Sequence, residues 1–314
     1  MSSSSYPGLR TGLLFVAIIA LFVAVGAVAG EFVFGSFLGG LVIALGLSLV
    51  FNLGAYFFCD RFVLWSSGAK IVTPEEAPRL ARIVDELAPM FGLVAPRIAI
   101  VPTMTPNAFA TGRNAKHAIV AATEGILHLL DDRELRGVLA HELAHVKDRD
   151  ILLMTFAATL AGAISYFAQF AFFAALTGGS GGRNNDGLGA LLAVIPAAIA
   201  AMLIQLAISR SRESKADIVG ATTIGDPLSL ASALQKLERG NAARPLTSGS
   251  PATSSLYIVN PFRGRSLMGW FSTHPPTEER IRALRALAAD RTYRPTIRAP
   301  SVTRPGFSGR SQQT

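Results

Sequence analysis

The sequence predicts a mainly α-helical, polytopic membrane protein with a small β-sheet in a part that faces water. Of the 314 residues, 50% are hydrophobic and only 16% are charged, whereas an average soluble chain is about 25% charged. Four apolar stretches are each long enough to cross the ~30 Å hydrocarbon core of a bilayer as a helix. The segments between and after these stretches show the amphipathic and alternating patterns of α/β structure.

The four apolar stretches pair into two predicted transmembrane hairpins. The first hairpin covers residues 9–58, with spans at 9–29 and 34–58. The second covers residues 151–208, with spans at 151–176 and 188–208. The first span is longer than the roughly 7–15-residue core of a signal peptide, and a second span follows it at once. We therefore expect the first span to be retained and not cleaved.

The distribution of Lys and Arg predicts how the hairpins are oriented. Their connecting loops, at residues 30–33 and 177–187, contain a single basic residue, Arg183. The opposite ends of the spans are flanked by basic residues, which are Arg10, Arg61, Lys70, Lys147, Arg149, Arg210, Arg212 and Lys215. Because cytoplasmic flanks are enriched in Lys and Arg, we expect a multi-pass inner-membrane protein with both termini in the cytoplasm.

The formal net charge of +8 does not indicate a nucleic-acid binder. The basic residues are scattered, and five of them lie in a tail at 291–314 that we expect to be disordered. Basic flanks around apolar spans favour the lipid bilayer as a partner, with no nucleic acid. The single cysteine, Cys59, excludes an intramolecular disulfide framework. The sequence is compatible with a homo-oligomer and does not specify one.

Residues 62–150 are predicted to form a mixed α/β unit. Arg97–Val101 has the composition of a short strand, and Asn107–Thr111 pairs with His117–Ala121 across a turn as a hairpin. Asp131, followed three residues later by a glutamate, has the pattern of a capping box that starts a helix.

Residues 209–290 are predicted to form a second, mainly helical part. One helix begins at Asp226, whose side-chain oxygen caps it, and ends at Glu238. A long loop rich in Pro, Gly and Ser covers residues 240–266, and the last helix begins at Pro276.

The motif His141-Glu-Leu-Ala-His145 lies within the helix that Asp131 starts. Residues four apart share one face of a helix, so both imidazoles can reach one metal ion. Glu142 lies beside them, where it can take a proton from water, and the pattern is typical of zinc sites. The alternative interpretation, polar residues on a solvated helix face, is weakened by the apolar residues in and beside the motif.

Glu213 is the best candidate for a third metal ligand. It emerges about one helical turn beyond the fourth predicted span, on the same side of the membrane as the histidines. A transmembrane hairpin returns the chain near the point where it left. Asp217, four residues later on the same face, is placed to hydrogen-bond the far nitrogen of a ligand histidine. For each acidic residue taken alone, an ion pair at the membrane interface is the alternative.

His274 has two interpretations. It precedes Pro275, which disfavours helical backbone for His274 itself, so the imidazole is held at the mouth of the last helix. There it is a candidate catalytic donor to the oxyanion that forms when water attacks a carbonyl. The alternative is that His274 caps the helix or packs under Trp270 and Phe271.

These features together resemble the HtpX-type membrane zinc metalloproteases, which are bacterial relatives of the CAAX prenyl endopeptidases. The resemblance runs from about residue 10 to residue 288. It rests on HELAH at 141–145, the transmembrane pair that follows, Glu213 with Asp217, and FSTHPPTEERI at 271–281.

The resemblance implies a fold, an activity and a set of site residues. The fold is a zincin-like metallopeptidase domain with a cytoplasmic site, in two parts at 62–150 and 209–290. The activity is zinc-dependent endoproteolysis of misfolded or damaged membrane proteins. Zinc ligands would be His141, His145 and Glu213, with Glu142 as the base.

The resemblance also implies a strand alongside which an extended polypeptide substrate lies. This predicted substrate strand consists of Asn107, Ala108, Phe109, Ala110 and Thr111. An edge strand binds peptides mainly through main-chain hydrogen bonds, which fits a broad range of substrates. Two other classes stay open, a prenyl-protein processing protease and a non-catalytic membrane scaffold with a metal site.

Overall fold

The computed structural model describes residues 35–148, 212–245, 257–259 and 275–290, together with the single residues 16, 20, 23 and 151. Apart from those single positions, the predicted spans at 9–29 and within 151–208 lie outside the described residues. The same holds for His274 and for the tail at 291–314.

The first described helix, α1, covers Phe37–Ser67 and therefore includes most of the second predicted span. It begins at Ser36, whose Oγ accepts from the Gly39 N–H at 3.0 Å, and it ends at Gly68, which has a φ of 67°. Large apolar side chains along α1 are exposed. In the described part of the chain, no helix is long and apolar enough to qualify as a candidate membrane span.

A four-stranded mixed sheet follows α1, in the order β1-β2-β4-β3. The strands are β1 (Lys70–Val72), β2 (Arg97–Val101), β3 (Ala108–Thr111) and β4 (Ile119–Thr123). β2 pairs antiparallel with β1 and parallel with β4, and β3 pairs antiparallel with β4. The predicted hairpin is confirmed, although His117 lies in a 3₁₀ turn because Asn114 caps that turn. β3 is an edge strand of this sheet.

Within the described residues, six further helices lie around the sheet. They are α2 (Pro78–Leu87), α3 (Glu124–Leu129), α4 (Asp132–Lys147), α5 (described part 212–224), α6 (Pro227–Ala243) and α7 (Thr277–Ala289). Two short 3₁₀ turns cover Ala88–Phe91 and Ala115–His117.

α6 is longer than the sequence predicts. The sequence pattern ends this helix at Glu238, but the helix continues to Ala243. Its buried face, which includes Leu237 and Asn241, packs against α4 and α7. Gly240 lies so close to Pro106 that a Cβ there would approach its Cγ to 2.6 Å. Packing against other elements therefore extends the helix into the segment that composition assigns to a loop.

α4 is the central helix of the described part. It begins with the predicted capping box: Asp131 Oδ1 accepts from the Glu134 N–H at 2.9 Å, and Glu134 Oε2 accepts from the Asp131 N–H at 3.1 Å. The helix packs against α2, β3 and α6, and nearly all of its side chains from Glu134 to Val146 are buried. The motif at 141–145 therefore lies inside the protein and not on a solvated face.

Candidate metal centre

The two histidines of the motif point to the same spot inside the protein. His141 and His145 are 1% and 2% exposed, and their Nε2 atoms are 3.2 Å apart. Their rings are almost perpendicular, at 88°. This convergence follows from local helix geometry, because residues four apart on α4 lie one above the other.

Glu213 reaches this pair from α5. Its Oε2 lies 3.4 Å from His141 Nε2, and its Oε1 lies 3.5 Å from His145 Nε2. Glu213 is 1% exposed, and the three donor atoms all lie within 4.8 Å of one another. The structure thus brings the three predicted ligands together, across a gap of more than sixty residues in the chain.

The donor geometry fits a tetrahedral ion. An ion bound at about 2 Å from each of three donors places those donors roughly 3.3 Å apart. The 3.2 Å between the two Nε2 atoms matches this spacing, and each carboxylate oxygen of Glu213 lies at a similar distance from one histidine, Oε2 at 3.4 Å from His141 and Oε1 at 3.5 Å from His145. Two imidazole nitrogens and a carboxylate oxygen are also the donor types that zinc binds. A buried His–His–Glu site of this shape can hold a metal ion.

Asp217 lies behind His141, as its spacing from Glu213 predicts. Its Oδ1 is 2.9 Å from His141 Nδ1. With the proton on Nδ1, the lone pair of Nε2 faces the metal site. Burial opposes the charge on Asp217, but the Arg280 charge and hydrogen bonds lower the pKa of Asp217 to about 2. The carboxylate is therefore available as an acceptor for His141.

Glu142 lies next to the ligands and against β3. It is 3% exposed, and burial raises the pKa of its carboxyl group, against the effect of the neighbouring His141 and His145. A backbone hydrogen bond from Ala110 partly stabilises its charged form. Its carboxylate is thus held between the metal site and the predicted substrate strand.

Arg280 is a site residue that the sequence analysis does not predict. Its Nε and Nη2 donate to the two carboxylate oxygens of Asp217, at 2.8 and 2.7 Å. Its Nη1 donates to the Ile258 carbonyl at 2.7 Å. The helical spacing contains an indication of this role. Arg280 is four residues before Leu284, so a charged residue lies on the face of α7 that is otherwise apolar.

Gly220 allows α5 to approach α4 at the metal site. A Cβ at this position would lie 3.0 Å from the His141 backbone nitrogen and 3.1 Å from the Ala140 carbonyl carbon. The absence of a side chain therefore sets how closely the helix that carries Glu213 packs against the helix that carries the histidines. Sequence spacing gives no indication of this contact.

The predicted substrate strand lies at the edge of the sheet, beside Glu142. Ala108–Thr111 form β3, and Asn107 precedes it with its side chain 1% exposed. A substrate-binding role for these residues stays a prediction, and so does the role of His274, which lies outside the described residues.

Two buried histidines on a helix that packs on a small sheet, a glutamate that joins them from a second helix, and a further glutamate beside them are the arrangement of a metallopeptidase. The chain belongs to Peptidase family M48, which it matches over residues 74–288. It is therefore a metalloendopeptidase, a hydrolase that acts on polypeptides.

Its relatives cover nearly the whole chain and confirm the HtpX-type resemblance. It is 50% identical to a protein named Protease HtpX homolog from Pyrococcus furiosus, over 90% of this chain and 96% of the relative. Proteins of the same name from Thermococcus sibiricus and Ralstonia nicotianae are 48% and 46% identical. They align over 89% and 91% of this chain, and over 96% and 98% of their own lengths.

Among solved structures, the crystal structure of S. mikatae Ste24p aligns with a TM-score of 0.46 and 19% sequence identity. The alignment covers 88% of this chain and 63% of that chain. This chain therefore spans less than two thirds of the length of that protein.

Proposed function

We propose that this protein is a zinc-dependent endopeptidase of the inner membrane that cleaves misfolded or damaged membrane proteins. The convergence of His141, His145 and Glu213 carries the catalytic part of the proposal, because their donor atoms all lie within 4.8 Å of one another and are of the types that zinc binds. These three residues would hold the ion. A zinc ion held there would supply Lewis acidity, which lowers the pKa of water and polarises a carbonyl.

Glu142 is the proposed general base. Its carboxylate accepts the proton of the attacking water and later delivers a proton to the leaving amine. Its burial beside the histidines excludes bulk water, and its hydrogen bond to the Ala110 backbone orients it towards the strand where a peptide would lie. Asp217 keeps His141 in the tautomer that presents Nε2 to the ion.

The substrate is proposed to bind as an extended strand on β3. The side of an edge strand that faces away from its partner strand supplies main-chain hydrogen bonds that do not depend on side-chain identity. This mode of binding suits an enzyme that recognises unfolded segments of many proteins. His274 remains a proposed oxyanion donor, since α7, which it precedes, reaches the site through Arg280. Helix capping is the alternative role.

The membrane part of the proposal rests on the apolar stretches and on α1. Leu38, Val50 and Leu53 of α1 are 69%, 72% and 64% exposed, and a helix that exposes many large apolar side chains is typical of a surface that contacts lipid or another protein. Reporter fusions in the 177–187 loop and after residue 220 should give opposite signals, because the first is predicted outside and the second in the cytoplasm. Equal signals from both fusions would contradict the four-span topology.

The two alternative functions are less well supported. Relatives that are named HtpX homologs favour a general protease over a prenyl-protein processing enzyme. Membership of a peptidase family and the presence of a base beside the ligand set argue against a non-catalytic scaffold.

The decisive experiment measures cleavage of a model membrane protein by the purified full-length chain, with zinc content determined in parallel. Glu142→Gln should retain zinc and lose about 10²–10⁴-fold in rate, because it removes only the base. Glu238→Gln, an exposed position on α6, is the matched control and should cleave normally. Cleavage that resists a chelator, or near-normal activity of Glu142→Gln, would overturn the proposed mechanism.

A further inference from the structure

The open edge of β3, meaning the side that faces away from β4, presents the backbone groups of alternate residues, and all four residues of the strand are buried. Asn107 faces β4, since its N–H donates to Thr123 Oγ1 at 2.9 Å and its carbonyl accepts from the Thr123 N–H at 3.0 Å. In an antiparallel pair, residues whose backbone N–H and C=O groups face the partner strand alternate with residues whose backbone groups face away from it. Ala108 and Ala110 therefore direct their N–H and carbonyl groups towards the open edge.

Both backbone groups of Ala108 are already occupied by groups of the chain itself. Its carbonyl accepts from the Ile258 N–H at 3.2 Å, and its N–H donates to Asn107 Oδ1 at 3.1 Å. Ile258 thus takes the place that a peptide main chain would take opposite Ala108. A bound peptide cannot pair with β3 at this residue while the 257–259 segment is in place.

The 257–259 segment is firmly anchored at the edge. Asn107 Nδ2 donates to the Val259 carbonyl at 2.5 Å, and its Oδ1 lies 3.4 Å from the Val259 N–H. Arg280 Nη1 donates to the Ile258 carbonyl at 2.7 Å. Residues 257, 258 and 259 are 5%, 1% and 8% exposed. The Tyr257 ring also packs edge-on against Phe109, with ring centroids 5.3 Å apart.

Ala110, by contrast, belongs to the reaction site. Its backbone hydrogen-bonds to Glu142, the proposed base. Ala108 and Ala110 are two residues apart, which corresponds to about 7 Å along a strand. The anchored segment therefore begins two residues along the edge from the point where the reaction would take place.

We propose that the 257–259 segment is a fixed wall that ends the peptide-binding edge, and that Asn107 and Arg280 are the positioning residues that hold it. The inference rests on the proposed function and adds a substrate limit to it: on one side of the cleaved bond, only about two residues pair with the enzyme. Arg280 also holds Asp217, so the same guanidinium fixes the wall relative to the metal ligands.

A peptide-length series tests the wall directly. Fluorogenic peptides are lengthened one residue at a time on each side of the cleaved bond, and kcat/KM is measured with the full-length protein in detergent. On one side, lengthening beyond about two residues should change kcat/KM by less than 2-fold, whereas each main-chain hydrogen bond gained elsewhere is worth about 2- to 10-fold. Continued gains on both sides would overturn the wall.

Asn107→Ala should remove the limit. It eliminates both contacts to Val259 and the acceptor of the Ala108 N–H, so the kcat/KM ratio of long to short peptides should rise about 2- to 10-fold on that side alone. Asn241→Ala removes another buried asparagine, whose side-chain atoms have no hydrogen-bond partner among the described residues, and should leave the ratio unchanged. An unchanged ratio in Asn107→Ala would overturn the proposal.

Arg280→Lys separates positioning from chemistry. A lysine cannot span Asp217 and Ile258 together, so this variant should alter both zinc affinity and the length profile. Asn107→Ala should alter the length profile and leave zinc affinity unchanged. If Arg280→Lys changes zinc affinity and leaves the length profile intact, Arg280 does not hold the wall.

Hydrogen exchange distinguishes a fixed wall from a lid. In Glu142→Gln, which should bind peptide and cleave it about 10²–10⁴-fold more slowly, the backbone amides of Ile258 and Val259 should stay equally protected with and without a saturating peptide from the series. Loss of protection on peptide binding would show that the segment leaves the edge and would overturn the wall. If the wild-type protein shows no peptide cleavage that a chelator inhibits, the proposed function is wrong. The exchange measurement still tests whether the 257–259 segment stays at the edge of β3.

Discussion

The candidate metal centre is built by two helices, α4 and α5, which contribute in different ways. α4 supplies both histidines from a single turn and a half, within a helix whose start is fixed by its own capping box. α5 supplies Glu213 and Asp217, but its position depends on contacts with other elements. Gly220, where a Cβ would meet the backbone of His141, shows how close that approach is.

We expect the two halves of the site to respond differently to substitutions that alter helix packing. The histidine pair converges wherever the helix forms, because its geometry is local. Glu213 and Asp217 take up their positions only if α5 packs against α4 and Arg280 on α7 neutralises Asp217. Substitutions that act on helix packing should therefore displace the acidic residues and leave the histidine pair intact.

Glu213→Ala should have the largest effect. It removes one of the three proposed ligands together with its charge, so zinc affinity should fall by more than the roughly 10–100-fold that loss of an outer partner costs. Zinc content and competition with a chelator measure the change. Asp148→Ala is the control. Asp148 forms an ion pair with Lys215 at 2.6 Å and is not a proposed ligand, so the variant protein should keep its zinc. The opposite outcome, zinc lost in Asp148→Ala and kept in Glu213→Ala, would refute the ligand assignment.

Asp217→Asn should have the next largest effect. Zinc affinity should fall about 10–100-fold, because the acceptor that orients His141 loses its charge. The free energy of unfolding should also fall by about 3–5 kcal/mol, since the buried Arg280 loses its counter-charge. Chelator competition and thermal melting measure the two effects. An unchanged zinc affinity would mean that Asp217 stabilises the fold without orienting the ligand.

Gly220→Ala tests the packing of α5 against α4. The added Cβ should cost about 1–3 kcal/mol of stability, as overpacking usually does, and should weaken zinc binding by moving Glu213. Gly54→Ala on α1, where a Cβ has no atom within 4 Å, is the matched control and should be tolerated. If Gly220→Ala binds zinc and melts like the wild type, close packing at this point does not set the position of Glu213.

Arg133→Ala should have the smallest effect. Arg133 makes a two-point ion pair with Asp226, at 2.5 and 2.8 Å, but its side chain is 66% exposed. Exposed pairs contribute less than about 1 kcal/mol, so the melting temperature should fall only slightly and zinc content should not change. A large loss of zinc would show that the N-terminal contact of α4 with α6 controls the site.

The fold elements that could be predicted from the sequence are those with short-range causes. The capping box at Asp131 and the β2 strand at Arg97–Val101 follow from neighbouring residues. The end of α6 could not be predicted, because burial of Leu237 and Asn241 against other elements, and not local propensity, extends it to Ala243.

By itself, the sequence determined the histidine pair and the glutamate beside it, since local helix geometry places His141, Glu142 and His145 whatever the rest of the chain does. It also indicated Glu213 and Asp217 as partners. Only the tertiary structure decided that Arg280 and the 257–259 segment join the same network. Their contacts link residues more than sixty and more than a hundred positions apart in the chain, and such contacts depend on how whole elements pack, which no local spacing encodes.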